Sequence, residues 1–342
     1  MRELLIYPLT GLRLQTDIGS EFRVNRVTFI SKEKLLRLKS RFGITAKTRT
    51  QIKANLDLYH NDLIGPDAYA LLQIKGGSSN ADHGFKLVER EAAILAVSQL
   101  TYSSRSHNGV ISLGVRNSSK LDLRLVVNLD EDIVSHKSQP VGPSGKLTLS
   151  DQWKKSAKGR GFFSLLKIIR GEIDLNSSWL YDIRNASVLI GKSQQSREMS
   201  TAFLYNMMAL ETLLLSGEGK HKENLISRIQ AFIGWSSMWD SDGYEQKIER
   251  LYETRNSLVH DGKIESVGMD NLLESDNLIF NVLYNVVVHI DRFKKKEDLI
   301  QFANLVGAER KLKIKSKHTP KTASVWESTS SDTAQLKKKF SV

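Results

Sequence analysis

The chain has 342 residues, no cysteine, and 50 lysine or arginine side chains against 38 carboxylates, a formal net charge of +12. Its 40% hydrophobic content is enough for one or two full cores and sets aside global disorder, while 22 Gly and 5 Pro exclude a collagen-like or Pro-rich chain. Without cysteine there is no disulfide framework, no Cys-ligated zinc or iron–sulfur centre and no thiol nucleophile. No run approaches the ~18 apolar residues of a membrane helix, and the apolar stretch at residues 4–9 is too short for a signal peptide. The chain therefore reads as cytoplasmic, with no membrane partner.

The positive charge is concentrated at one end. Residues 310–342 carry nine lysines or arginines, among them Lys311, Lys313 and Lys315, against two carboxylates; this net +7 leaves +5 of the +12 for residues 1–309. A polybasic tail binds phosphate backbones without sequence preference and loosens its hold as salt rises. A solvated, disordered terminus that aids solubility has the same composition.

Strand-length apolar or alternating runs fall at residues 3–9, 26–31, 69–75, 110–116 and 121–129, and one helical pattern, residues 85–102, interrupts them. Residues 1–145 are thus predicted to be an α+β, strand-rich domain, a sensor or regulatory region. The Gly76-Gly77-Ser78-Ser79-Asn80 stretch lacks the Lys-Ser/Thr ending of a phosphate loop and reads as a hairpin or surface turn. Residues 135–145, with both their prolines and their Gly-Ser content, are the predicted linker.

Residues 146–176 form a connector helix region, opening with Ser150 or Asp151 as a cap. It contains Lys154, Lys155, Lys158 and Arg160 beside Phe162 and Phe163, which suits single-stranded nucleic acid through charge and stacking. It equally suits a connector whose two rings enter the core. Helices are predicted at about 178–192, 197–216, 222–235, 244–261 and 269–295, with apolar stripes at Phe203, Met207, Leu210 and Leu214 and at Leu278, Val282, Val286 and Ile290. Breakers lie at residues 216–219 and 240–243. The result is an antiparallel all-α bundle over residues 177–306, with residues 307–342 left as a basic tail.

The fourth helix carries the chemistry. Asn256 and His260 are four residues apart and share a face, and Arg255 lies ~100° round from Asn256, within reach of the same patch. Gly262 is placed to end the helix and leave His260 in its last turn. Spacing alone also allows Arg255 and His260 simply to cap carbonyls at the helix end. His221 and His289 lack the paired spacing of metal ligands, so no metal and no cofactor is expected.

The run Arg255-Asn256-Ser257-Leu258-Val259-His260 resembles the signature of the HEPN superfamily, an Arg and a polar residue followed a few residues later by His. Ala209-Leu210-Glu211-Thr212-Leu213-Leu214 resembles the second-helix motif of its Apea-like branch, so the resemblance covers residues 175–295. It implies a metal-independent endoribonuclease acting as a homodimer, with the Arg255, Asn256 and His260 patches of two copies facing across a two-fold axis. Larger assemblies, a gating antitoxin or partner, and a phage trigger fit the same resemblance, as do anti-phage defence, abortive infection or toxin-like growth arrest. Glu211 is expected either to support Arg255 or His260 or to form an internal salt bridge of the bundle. A catalytically silent HEPN dimer that binds nucleic acid or a partner protein is the alternative.

Overall fold

The computed structural model describes residues 2–15, 21–38, 41–59, 68–75, 81–101, 105, 108–113, 121–140, 147–196, 198–217, 219–233 and 244–314. The architecture is α+β, a sheet-bearing region followed by a helical one. Two compact units divide the chain: Met1–Ala96 with Asn108–Ser156, and Val97–His107 with Ala157–Val342. The short segment 97–107 thus belongs to the helical unit although it is embedded in the strand-rich part of the sequence.

The first unit is built on β1 (Arg2–Thr10), followed by β2 (Leu12–Leu14), the hairpin β3 (Glu21–Arg23) and β4 (Thr28–Ser31), helices α1 (Lys32–Leu36) and α2 (Ala46–Tyr59), β5 (Ala68–Lys75), α3 (Ala81–Ala96), and strands β6 (Ser112–Leu113), β7 (Leu121–Asn128), β8 (Ile133–Pro140) and β9 (Leu147–Leu149). Among the described residues the main sheet runs β3-β4-β5-β1-β7-β8, with β6 also against β1, and every pairing in it is antiparallel. β2 and β9 form a separate parallel pair.

β1 reads as a nearly unbroken apolar run because both of its faces are covered. Leu4 and Ile6 join Leu35, Leu38, Ile44 and Ile52 in one cluster, while Leu5 and Tyr7 on the other face meet α3 at Gly84. Pro8, which has no N–H to give, is paired with Tyr69 of β5 and falls between the stretch of β1 paired with β7 and the stretch paired with β6.

Neither α1 nor α2 is legible as a helix in the sequence. Among the described side chains of α2, residues 46–55, only Thr48 and Ile52 are buried, four residues apart, so its first part carries a thin apolar stripe. The helix expected over residues 85–102 stops at Ala96 and tightens into a 3-10 turn, Val97–Gln99. Two further expectations are corrected here. Residues 135–140 of the predicted linker belong to β8, where pairing with β7 imposes an extended backbone on a polar run; among the described residues 110–113 of the strand expected at 110–116, Ser112–Leu113 are strand and 110–111 are not. Residues 76–80, 114–116, 141–145, 218, 240–243 and the tail from 315, with Lys315, lie outside the described residues.

Helix α4 (Asp151–Gly159) begins where the Ser150 hydroxyl accepts the Trp153 N–H at 3.2 Å, and the division between the two units falls within it. The second unit continues with α5 (Phe162–Ile169), α6 (Ser177–Gln195), α7 (Met199–Leu214), α8 (His221–Ile233), α9 (Tyr244–Asp261), α10 (Met269–Val288) and α11 (Lys296–Lys311). Phe203, Met207, Leu210 and Leu214 are fully buried, and Leu278, Val282, Val286 and Ile290 almost so, as their spacing predicts. Trp179 is also fully buried and gives its indole N–H to the Phe293 carbonyl at 3.0 Å.

α10 ends seven residues short of the expected 295, the chain turns, and α11 carries the helical unit past residue 306 to Lys311. Leu299, Phe302, Ala303 and Val306 recur at i, i+3, i+4 and i+7 and are buried, so residues 307–311 are helix and not tail. α11 is tied to its neighbours at its first residue, where Lys296 Nζ donates to the Thr212 carbonyl at 2.7 Å and to Asp182 at 3.0 Å.

Candidate active site

α9 spans Tyr244–Asp261, and Gly262 follows it at φ +66°, the left-handed conformation that a helix-ending glycine adopts without steric penalty. The turn lets the Lys263 N–H reach back to the Ser257 carbonyl at 3.3 Å. Ile248 and Leu251 anchor the helix in the core, which turns Arg255 and Asn256 to a half-buried surface and leaves Val259 and His260 exposed.

Arg255 is the organising side chain. One of its terminal nitrogens, Nη2, lies 3.0 Å from Glu211 Oε2 on α7, and the other, Nη1, donates to Asn256 Oδ1 at 3.2 Å. Both charged side chains are about one-fifth exposed (20% each), so water still screens the pair, and its net worth falls in the ~0–1 kcal/mol range of accessible ion pairs. What the pair fixes is geometry. A guanidinium held at two of its corners has a fixed orientation. Arg255 Nε is buried without a hydrogen-bond partner.

Glu211 sits in the last turn of α7, and this helix end is unusually well tied down. Arg228 of α8, buried and with its pKa lowered by desolvation, donates through Nη1 to the Leu214 carbonyl at 2.5 Å, next to the Lys296 bond to Thr212. These donors satisfy carbonyls that a helix C-terminus otherwise leaves open. They hold Glu211 still on the α7 side of the ion pair.

The structure therefore brings together Arg255, Asn256 and Glu211. The two expectations for Glu211 merge, since its salt bridge links two helices of the bundle and also orients Arg255. His260 stands one turn beyond Asn256 on the same face, exposed, and among the described residues it takes part in no hydrogen bond or ion pair. Exposed apolar side chains flank the ion pair on both helices: Met208, three residues before Glu211, and Val259, four residues after Arg255.

The weaker RNA-contact expectations fare unevenly. Lys154 and Lys155 are exposed and belong to the first unit; Lys158 is exposed and belongs to the second. Arg160 is not displayed in this way, because its Nη2 donates to the Ser98 carbonyl at 2.6 Å. Phe162 is buried and packs edge-on to Phe163 with ring centroids 5.9 Å apart, so the ring pair is largely core and not a stacking platform. Lys311 closes α11 and Lys313 follows it, both exposed. Among the described residues no three His, Asp or Glu side chains converge as metal ligands.

A second polar centre escaped the sequence reading. Arg105 and Asp276, with side chains 1% and 3% exposed, pair inside the helical unit through Nε–Oδ2 at 2.7 Å and Nη2–Oδ1 at 2.5 Å. Arg105 also donates to the carbonyl and hydroxyl of Ser193 at 2.7 and 2.9 Å, while Gln194 and Asn206 donate to Asp276 Oδ1. The available signal was the polar run Ser275-Asp276-Asn277 inside the otherwise apolar α10, continued at Asn281 and Asn285 on one face; nothing in the surroundings of Arg105 pointed to it.

No protein-family model, no curated protein and no solved structure matches this chain.

Proposed function

We propose that the protein is a HEPN-type endoribonuclease that cleaves RNA through the RNA's own 2′-hydroxyl, without a metal ion, at the interface of a homodimer. The observation that carries this reading is the Arg255 guanidinium, held by Glu211 and Asn256 on the same helix end as an exposed His260. Transesterification needs one group to take the 2′-hydroxyl proton and another to protonate the leaving 5′-oxygen, and each chain supplies one such histidine. A two-fold dimer supplies the pair. The exposed Met208 and Val259 around the ion pair are the apolar surface that such an interface would cover.

In the proposed reaction, neutral His260 of one copy accepts the 2′-proton as the 2′-oxygen bonds to phosphorus. The bond from phosphorus to the 5′-oxygen breaks, and the imidazolium of the second copy's His260 protonates that oxygen. Arg255 binds the non-bridging oxygens and counters the charge that grows on them, and Asn256 keeps the guanidinium aligned. The products are a 2′,3′-cyclic phosphate and a 5′-hydroxyl. The strand-rich first unit would act as sensor or regulator, in a setting of anti-phage defence or toxin-like growth arrest.

Incubating wild type, His260→Ala and Arg255→Ala with mixed cellular RNA in EDTA and mapping fragment ends tests this. Cyclic-phosphate ends produced by wild type and reduced at least about a hundredfold in each variant, at unchanged melting temperature and dimer content, support the proposal. The alternative, a catalytically silent dimer, draws on the same ion pair: a guanidinium already engaged by Glu211 serves equally as a structural strut. RNA bound but left intact by wild type would select it.

A further inference from the structure

The register of the first unit leaves a notch in its sheet. β4 begins at Thr28, which pairs with Leu71, whereas β5 runs four residues further along β1, from Leu72 opposite Leu5 to Lys75 opposite Arg2. Beyond the end of β4 the outer edge of β5 is not continued by that strand. A cavity of about 630 Å³ occupies the position, lined by Arg23, Arg26, Phe42, Leu72, Lys75 and His83 among others, all within this unit.

Three features give the notch the character of a binding site. First, among the described residues its lining holds two arginines, a lysine and a histidine and no carboxylate. Arg23 is fixed at the rim by its Nε bond to the Asn25 carbonyl at 2.6 Å. Side chains of one sign around a concavity raise the local positive potential, which favours an anion there. Second, Gly84 lets the first turn of α3 settle onto β1, since a methyl there would overlap Leu5 Cδ1 and reach 3.1 Å from Tyr7 Oη. This close approach sets His83 and, four residues on, Leu87 against the cavity. Third, Phe42 is held at φ +65°, a conformation that L side chains rarely adopt, and lines the cavity together with Leu72 and Leu87. Cations on one side and an aromatic and aliphatic wall on the other match a small molecule with a phosphate at one end and a flat ring at the other, and the volume lies within the ~300–1,000 Å³ of small-molecule sites.

We propose that this notch binds a phosphorylated small molecule of the nucleotide class. The phosphates meet Arg23, Arg26, Lys75 and His83, and the base lies against Phe42. The proposal concerns the first unit alone and stands apart from the ribonuclease reading, so its test uses no RNA cleavage.

Calorimetric titration of the full chain with ATP, inorganic phosphate and adenosine decides it. The expected result is saturable one-to-one binding of ATP, weaker binding of phosphate and at least about a hundredfold weaker binding of adenosine. Arg26→Glu and His83→Ala should each weaken ATP about tenfold or more, as loss of one charge-assisted contact requires, with melting temperatures unchanged. Lys311→Glu, on α11 of the helical unit, should have no effect. Absence of saturation at millimolar ATP overturns the proposal, as does equal binding of adenosine. Affinity that responds to Lys311→Glu but not to Arg26→Glu would also overturn it by assigning the binding to the chain's general basicity.

Discussion

Replacing Asp276 with alanine removes four hydrogen bonds at once: two from Arg105, one from Gln194 and one from Asn206, at 2.5–3.2 Å. The Arg105 side chain, 1% exposed, keeps its bonds to the carbonyl and hydroxyl of Ser193 but loses its counter-ion. A buried charge stripped of its counter-ion costs ~3–5 kcal/mol, far more than the pair is worth relative to well-packed apolar residues. At ~2–4 °C per kcal/mol for a unit of this size, the melting temperature should fall by about 6–20 °C. Thermal unfolding followed by near-ultraviolet circular dichroism measures it. The companion test is the double replacement of Arg105 by Met and Asp276 by Leu, which leaves no unpaired charge and should recover most of the loss. If Asp276→Ala shifts the transition by less than about 2 °C, or if the double variant is no more stable than the single, the pair is not the buried, mutually dependent centre described.

Two further predictions concern the sheet unit. Glu3 on β1 is 2% exposed and burial raises its pKa above the ordinary 4.5, so between these values the folded protein holds a proton that the unfolded chain has released. Its contribution to stability is full below the ordinary value and is lost as pH rises through the raised one. Glu3→Gln should therefore gain on wild type as pH climbs from about 4 to about 7, and a stability difference independent of pH would contradict this. Gly84→Ala should destabilise by ~1–3 kcal/mol in urea unfolding, because the added methyl overlaps Leu5 where β1 is fully buried; a neutral substitution would show that α3 does not press on β1 at that point.

Strong periodicity and local chemistry were legible in the sequence. The stripes of α7 and α10 are buried as spaced, α9 occupies residues 244–261 as expected, and Gly262 takes the left-handed conformation its position implied. β1, β5 and β7 also fall where the apolar runs lie. These features follow from interactions within a few residues, the hydrogen-bonding period of the backbone and the freedom of glycine, which any single sequence carries.

What needed tertiary structure depends on partners distant along the chain. That Glu211 takes Arg255 rather than His260 is decided by how α7 packs on α9, 44 residues later. Arg105 finds Asp276 across 171 residues, so no local pattern marks it, and residues 135–140 become a strand only because β7 lies alongside. The basic notch arises from strand register, the late start of β4 against a longer β5, which gathers Arg26, Lys75 and His83 from separate elements. The sequence by itself determined which segments are helix or strand and which helix carries the Arg-Asn-His run. Side-chain pairing and strand register decided what those residues face, because both are set by packing free energies summed over the whole core.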